Sequence, residues 1–193
     1  GILLGMAAAL RRNSWIDYLA SAFATLGLTI PVFVISMALI MVFAVWLNWL
    51  PASGWGKPNA WILPIIAYAA IPMATYARYT RSAMLDVLSQ DFVRTAAAKG
   101  LPARRIVVGH ALRNALNPIV SAVSGWFAAL LTGAFFVENV FNFKGLGSAT
   151  ITALLNFDIP VVLGCVLFTV SIFVVVNIIS DLLYGLLDPR VTL

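Results

Sequence analysis

Ionisable side chains are spaced so unevenly along this chain that they decide its solvent before any other property enters. None separates Asp17 from Lys57, Lys57 from Arg78, Arg113 from Glu138 or Asp158 from Asp181, leaving gaps of 39, 20, 24 and 22 residues. A helix needs about 20 largely uncharged residues to cross the hydrocarbon of a bilayer, so each gap holds a candidate span. Composition agrees: 62% of the 193 residues are hydrophobic and 10% charged, whereas a soluble domain is about a quarter charged. A domain of this size buries only about 70% of its surface. An all-α membrane protein is the expectation.

The first gap is too long for one span. Ser14-Trp15-Ile16-Asp17 reads as a capping box that opens an amphipathic helix lying at the interface. The spans are then expected near 27–49, 61–83, 117–137 and 159–183, with Pro31 near the start of the first, where a proline costs least. Ahead of Arg11 stand only ten apolar residues, Gly1 to Leu10. That is half a span, as expected of the C-terminal portion of a longer chain. A signal peptide would carry its cations before the apolar run, not after it as Arg11 and Arg12 stand here.

These spans place Arg11, Arg12, Arg78, Arg81, Arg94, Lys99, Arg104, Arg105, Arg113 and Arg190 on one side and Lys57 and Lys144 on the other. Ten cations against two predict by the positive-inside rule that the first side, including the C-terminus, is cytoplasmic. The outer loops are then Leu50 to Ala60 and Glu138 to Pro160. Trp46, Trp49, Trp55 and Trp61 flank the first of them, as interfacial anchors do.

Between the second and third spans runs Gln90-Asp91-Phe92-Val93-Arg94-Thr95-Ala96-Ala97-Ala98-Lys99-Gly100-Leu101-Pro102-Ala103-Arg104-Arg105. Asp91 is suited to cap a short Ala-rich helix, Gly100 to end it in the left-handed region, and Leu101-Pro102 to begin a second helix at a new angle. The result is a basic elbow. Thr95, Ala96 and Ala98 are expected to give it a small-residue face that fits a groove on another protein.

The stretch from Gln90 to Gly100 resembles the EAA loop of the permease subunits of bacterial ABC importers, in the form found in the dipeptide, oligopeptide and nickel group. The resemblance continues through His110-Ala111-Leu112-Arg113-Asn114-Ala115-Leu116, Glu138-Asn139-Val140-Phe141 with Gly145-Leu146-Gly147, Asp158-Ile159-Pro160-Val161-Val162, Asn177 with Asp181-Leu182-Leu183-Tyr184, and Asp188-Pro189-Arg190. Arg94 stands where the general pattern has Glu, Phe92 where Tyr is usual, Ala97 where Arg is usual, and Lys144 where Pro is usual. The resemblance implies a type I ABC-importer permease fold with about four full transmembrane helices and a truncated N-terminal one. It implies one transmembrane domain over 1–193, with a cytoplasmic coupling loop at 86–116. It also implies that Asp91, Arg94, Thr95, Ala96, Ala98, Lys99, Gly100 and Arg104 couple the permease to separate cytoplasmic ABC ATPase subunits. A second homologous permease and an extracytoplasmic solute-binding protein would complete the assembly in a bacterial-type inner membrane. The solute, whether dipeptide, oligopeptide or nickel chelate, is left open.

No catalytic role, cofactor or metal is expected. A phosphate-binding loop of the form G-x-x-x-x-G-K-[ST] is absent from the sequence, and one Cys and one His cannot make a zinc cluster or a disulfide. The net charge of +5 would suggest nucleic acid only on a soluble basic face. An ion-coupled secondary transporter or channel is the alternative, but such proteins carry charged residues or broken helices at mid-span. Of the remaining polar positions, His110 is expected in a structural hydrogen bond and Glu138 in capping or orienting the outer loop. Asn177 and Asp181 are expected to tie helices together, and Cys165 to pack. Ser121, Gly125 and Gly133 give the third span a small-residue profile that suits close packing or a pathway wall.

Overall fold

The computed structural model describes residues 1–54, 56–115 and 135–187, and among these residues it is helical without strands. The described helices are α1 (Ile2–Leu10), α2 (Trp15–Thr29), α3 (Val32–Leu39), α4 (Ile62–Leu88), α5 (Asp91–Ala98), α6 (Phe135–Val140), α7 (Leu146–Leu155) and α8 (Ile159–Leu187). A π-helical segment, Ile40–Trp46, continues α3; a second, Arg105–Ala111, follows α5; and a 3-10 turn, Pro58–Trp61, leads into α4. Among the described residues two helical stretches are long and apolar enough to cross a bilayer, Pro58–Leu88 and Ile159–Ile179. They match the spans expected over 61–83 and 159–183. The span expected over 117–137 lies outside the described residues as far as 134.

The first expected span is corrected. Instead of one helix over 27–49, α2 ends at Thr29 and α3 starts afresh at Val32, with Pro31 as N-cap at φ −57° and ψ 141°. The residue before a proline is pushed out of the α region by the ring's Cδ, so Ile30 stops α2, and the proline opens a new helix. The segment 138–160, expected as an outer loop, differs as well: helices α6 and α7 occupy most of it.

The chain forms two units. In the first, residues 1–29 with 71–123, α1 packs on α2, and Ala9, Met84, Val87, Ala111 and Ala115 form a buried cluster flanked by Met6, Leu88 and Val107. A Cβ on Gly5 would meet the Ala77 carbonyl oxygen and come within 2.7 Å of Thr80 Cβ. Gly1 and Gly5 thus form a G-x-x-x-G face that brings α1 against the α4 backbone, a packing device of membrane helices.

In the second unit, residues 30–70 with 124–193, the cluster is Leu63, Ala67, Val137, Phe141 and Phe143, flanked by Val32, Leu39, Phe43 and Val140. Trp61 meets Phe143 edge to face at 5.3 Å between ring centroids, a favoured aromatic geometry. Asp158 caps α8 by accepting the Val161 N–H at 3.3 Å.

Candidate functional site

The elbow forms from local chemistry. Gln90, extended at φ −76° and ψ 152°, is the N-cap of α5, and Asp91 is its first helical residue. The expected Asp91 cap is therefore corrected: α5 has no side-chain cap, and Asp91 instead places its charge at the positive end of the helix dipole, where an anion is favoured. Arg94 Nη1 lies 3.9 Å from its carboxylate, with both side chains exposed. Such an exposed pair contributes little to stability.

The far end of α5 follows the sequence reading. Gly100 has φ +77°, its N–H donates to the Ala97 carbonyl at 2.9 Å, and the Leu101 N–H donates to the Ala96 carbonyl at 3.3 Å. Together these two bonds are a Schellman motif, closing the helix on a residue that must be left-handed. Nothing lies within 4 Å of a Cβ built on Gly100, so the requirement is conformational, not spatial. Beyond it the Pro102 carbonyl accepts from the Arg105 and Ile106 N–H groups at 2.9 and 3.2 Å. Those bonds start the second arm of the elbow.

Burial sorts the predicted site residues into two faces. Asp91, Arg94, Thr95, Ala98, Lys99, Gly100 and Arg104 are exposed, while Ala96 is buried. The small-residue face is thereby corrected: Thr95 and Ala98 face outward and Ala96 inward. α5 packs on the Arg105–Ala111 segment, whose Ile106 is buried as well. Phe92 and Val108 are 37% and 52% exposed, and Arg94, Lys99, Arg104, Arg105 and Arg113 are exposed along the same stretch as Asp91. His110 is exposed. Its carbonyl accepts from Asn114 Nδ2 at 2.9 Å, and among the described residues its ring makes none of the hydrogen bonds expected of it.

In the segment 138–160, Glu138 does cap and orient, and how it does so could not be read from spacing. Gly145 is the N-cap of α7 and has no side chain with which to accept a helix N–H. Glu138 supplies the acceptor from seven residues earlier, taking the Ser148 N–H on Oε2 at 3.0 Å, and Ser148 Oγ accepts the Gly145 N–H at 3.0 Å. A Cβ on Gly145 would collide with that carboxylate, and one on Gly147 would come within 2.6 Å of Phe135 Cα. Gly145 therefore leaves room for the Glu138 carboxylate, and Gly147 first of all for the Phe135 backbone. Asn177 Nδ2 donates to the Phe173 carbonyl of its own helix at 2.8 Å and, among the described residues, to no neighbouring helix; the Asp181 side chain paired with it in the sequence reading lies outside the described residues.

One pair escaped the sequence reading entirely. Arg81 Nε and Nη2 donate to Asp17 Oδ1 and Oδ2 at 2.5 and 2.8 Å, a two-pronged bond from α4 to α2. Asp17 is 2% exposed and also accepts the Asn13 N–H at 2.9 Å and the Ser21 hydroxyl at 3.4 Å. Ser14 and Asp17 read as a local cap. The long-range partner sits 64 positions away, where spacing carries no signal.

Over all of residues 1–193 the chain matches the family described as binding-protein-dependent transport system inner membrane component. The chain belongs to that family. Its fold is accordingly that of a type I ABC-importer permease. It is 45% identical over 193 residues to the dipeptide transport system permease protein DppB of Bacillus subtilis. It is 39% identical to the oligopeptide transport system permease protein OppB of Salmonella typhimurium and 38% identical to that of Escherichia coli. These alignments cover 99–100% of this chain and 63% of each relative, so the chain spans somewhat under two thirds of their length. The family's description is that of an inner-membrane component of a transport system.

Proposed function

We propose that this chain forms the membrane-spanning part of a permease subunit in a peptide ABC importer, and that its elbow receives the motion of cytoplasmic ATPase subunits. The observation that carries the reading is the exposed face of α5. An eight-residue helix, locked at one end by a left-handed glycine and packed on its own second arm with Ala96 buried, presents Phe92, Arg94, Thr95, Ala98 and Lys99 outward as one rigid body. A rigid projection transmits a displacement; a flexible loop would absorb it. Closure of the ATPases on nucleotide would then rock the spans between inward- and outward-facing states. A second permease completes the pathway, and an extracytoplasmic binding protein delivers the solute at the side of α6 and α7.

The relatives' names favour peptides over nickel as cargo. The cation distribution supports a cytoplasmic elbow and C-terminus. ATP hydrolysis belongs to the partner subunits, since the sequence offers no phosphate loop.

The test is peptide uptake and ATPase co-purification in the intact permease. Gly100→Val forces a β-branched residue to positive φ and misdirects the elbow. Ala98→Glu adds bulk and negative charge to its docking face. Both are expected to insert normally, lose bound ATPase and abolish uptake, while Lys57→Ala in the outer loop leaves association unchanged. Wild-type assembly and transport by both elbow variants would refute the reading.

A further inference from the structure

α2 has an unusual division of faces. Asp17, Ala20 and Ala24 are buried, whereas Trp15, Tyr18, Leu19 and Leu26 are 57–69% exposed, so the outward face is apolar and aromatic and suits the interfacial zone of a bilayer, not water. Beside this helix, between it and α4, lies a cavity of about 170 Å³ lined by Ala24, Ala77, Ser21, Thr25, Arg78 and Arg81, among others. Its two cations are not equivalent. Arg81 is neutralised by Asp17, but no carboxylate among the described residues lies within 4.0 Å of Arg78, which is exposed within the candidate span Pro58–Leu88. The hydroxyls do not compensate: Ser21 donates to Asp17 and Thr25 to the Ser21 carbonyl. The cavity therefore holds one uncompensated positive charge above an alanine floor, at a helix whose outer face belongs in lipid.

We propose that this cavity binds the phosphodiester headgroup of a monoanionic phospholipid, with Arg78 as its counter-ion and the alanine floor against the glycerol and upper acyl chain. Basic pockets between transmembrane helices hold anionic headgroups in this way. Because the charge of Arg81 is already balanced by Asp17 and both hydroxyls already donate, selectivity rests on headgroup charge and not on headgroup shape. In the proposed orientation the site lies in the inner leaflet. It goes beyond the transport reading and does not depend on it, since the lipid is retained whether or not the elbow couples to an ATPase.

The test is native mass spectrometry of the intact detergent-solubilised permease, incubated with equal amounts of phosphatidylglycerol and phosphatidylcholine of the same acyl chains. The wild type is expected to retain phosphatidylglycerol about fivefold better, the effect of about one cation facing one anionic headgroup. Arg78→Gln is expected to retain one fewer phosphatidylglycerol, and Arg78→Lys and Lys57→Gln to behave as wild type. Filling the floor with Ala24→Leu is expected to weaken retention of both lipids. The proposal is overturned if Arg78→Gln keeps the preference, if Lys57→Gln loses as much, or if inorganic phosphate at the same concentration displaces the lipid, which would mark a free-anion site.

Discussion

Asp17 and Arg81 show how much a single residue's meaning depends on a partner the local sequence does not contain. Read alone, Asp17 completes a helix cap and Arg81 is one of ten cations on the basic side. Together they form a bond from α2 to α4 with one member almost wholly buried. A buried pair is not a large source of stability as such, but removing one partner strands the other's charge. Asp17→Asn is therefore expected to destabilise the fold by about 3 kcal/mol, the low end for such pairs, because Arg81 is 30% exposed and water screens it. Asp17→Asn with Arg81→Gln should recover part of that loss in a double-mutant cycle read by thermal unfolding in detergent. Additive losses would mean that the two residues do not act as a pair.

Among the helices, legibility followed length and the locality of the deciding bonds. α4 and α8 were readable because a charge-free run of the required length is itself the signal. The end of α5 was readable because Gly100 closes it within three residues. Asp158-Ile159-Pro160 places an acceptor at the cap of α8 and a proline in its first turn, a start signal that the loop expected to run on to Pro160 passed over. The break at Ile30-Pro31 was misplaced because hydropathy does not change across it; only the steric effect of Pro31 on the residue before it ends α2. α6 and α7 were missed for another reason: Gly145 and Gly147 look like turn formers, while Gly145 leaves room for a carboxylate and Gly147 for the Phe135 backbone. That account gives a non-additive prediction. Gly145→Ala is expected to cost about 1–3 kcal/mol as an overpacked site, since Glu138 cannot retreat without releasing the Ser148 N–H. In a Glu138→Ala background, which alone costs about 1 kcal/mol for the lost cap, the same substitution should cost almost nothing. Equal cost in both backgrounds, measured by thermal unfolding, would contradict the role given to Glu138.

For the whole molecule, the class, the family and the basic elbow were legible in the charge pattern and the motif order, but the side chains that face outward from the elbow were not. Spacing placed Ala96 beside Thr95 and Ala98, and only its burial in the folded chain showed that it turns inward. Topology is testable at this scale. In a Cys165→Ser background, Lys57→Cys and Lys144→Cys should react with an impermeant thiol reagent in intact cells, and Arg104→Cys only after permeabilisation; labelling of Arg104→Cys in intact cells would reverse the orientation. The most direct test of the coupling role is cysteine cross-linking between the elbow and the ATPase subunit in the assembled importer. Thr95→Cys and Ala98→Cys should cross-link efficiently and in a nucleotide-dependent way, while Ala96→Cys should not. Cross-linking at Ala96→Cys alone, or at none of the three, would contradict an elbow that docks through its exposed face.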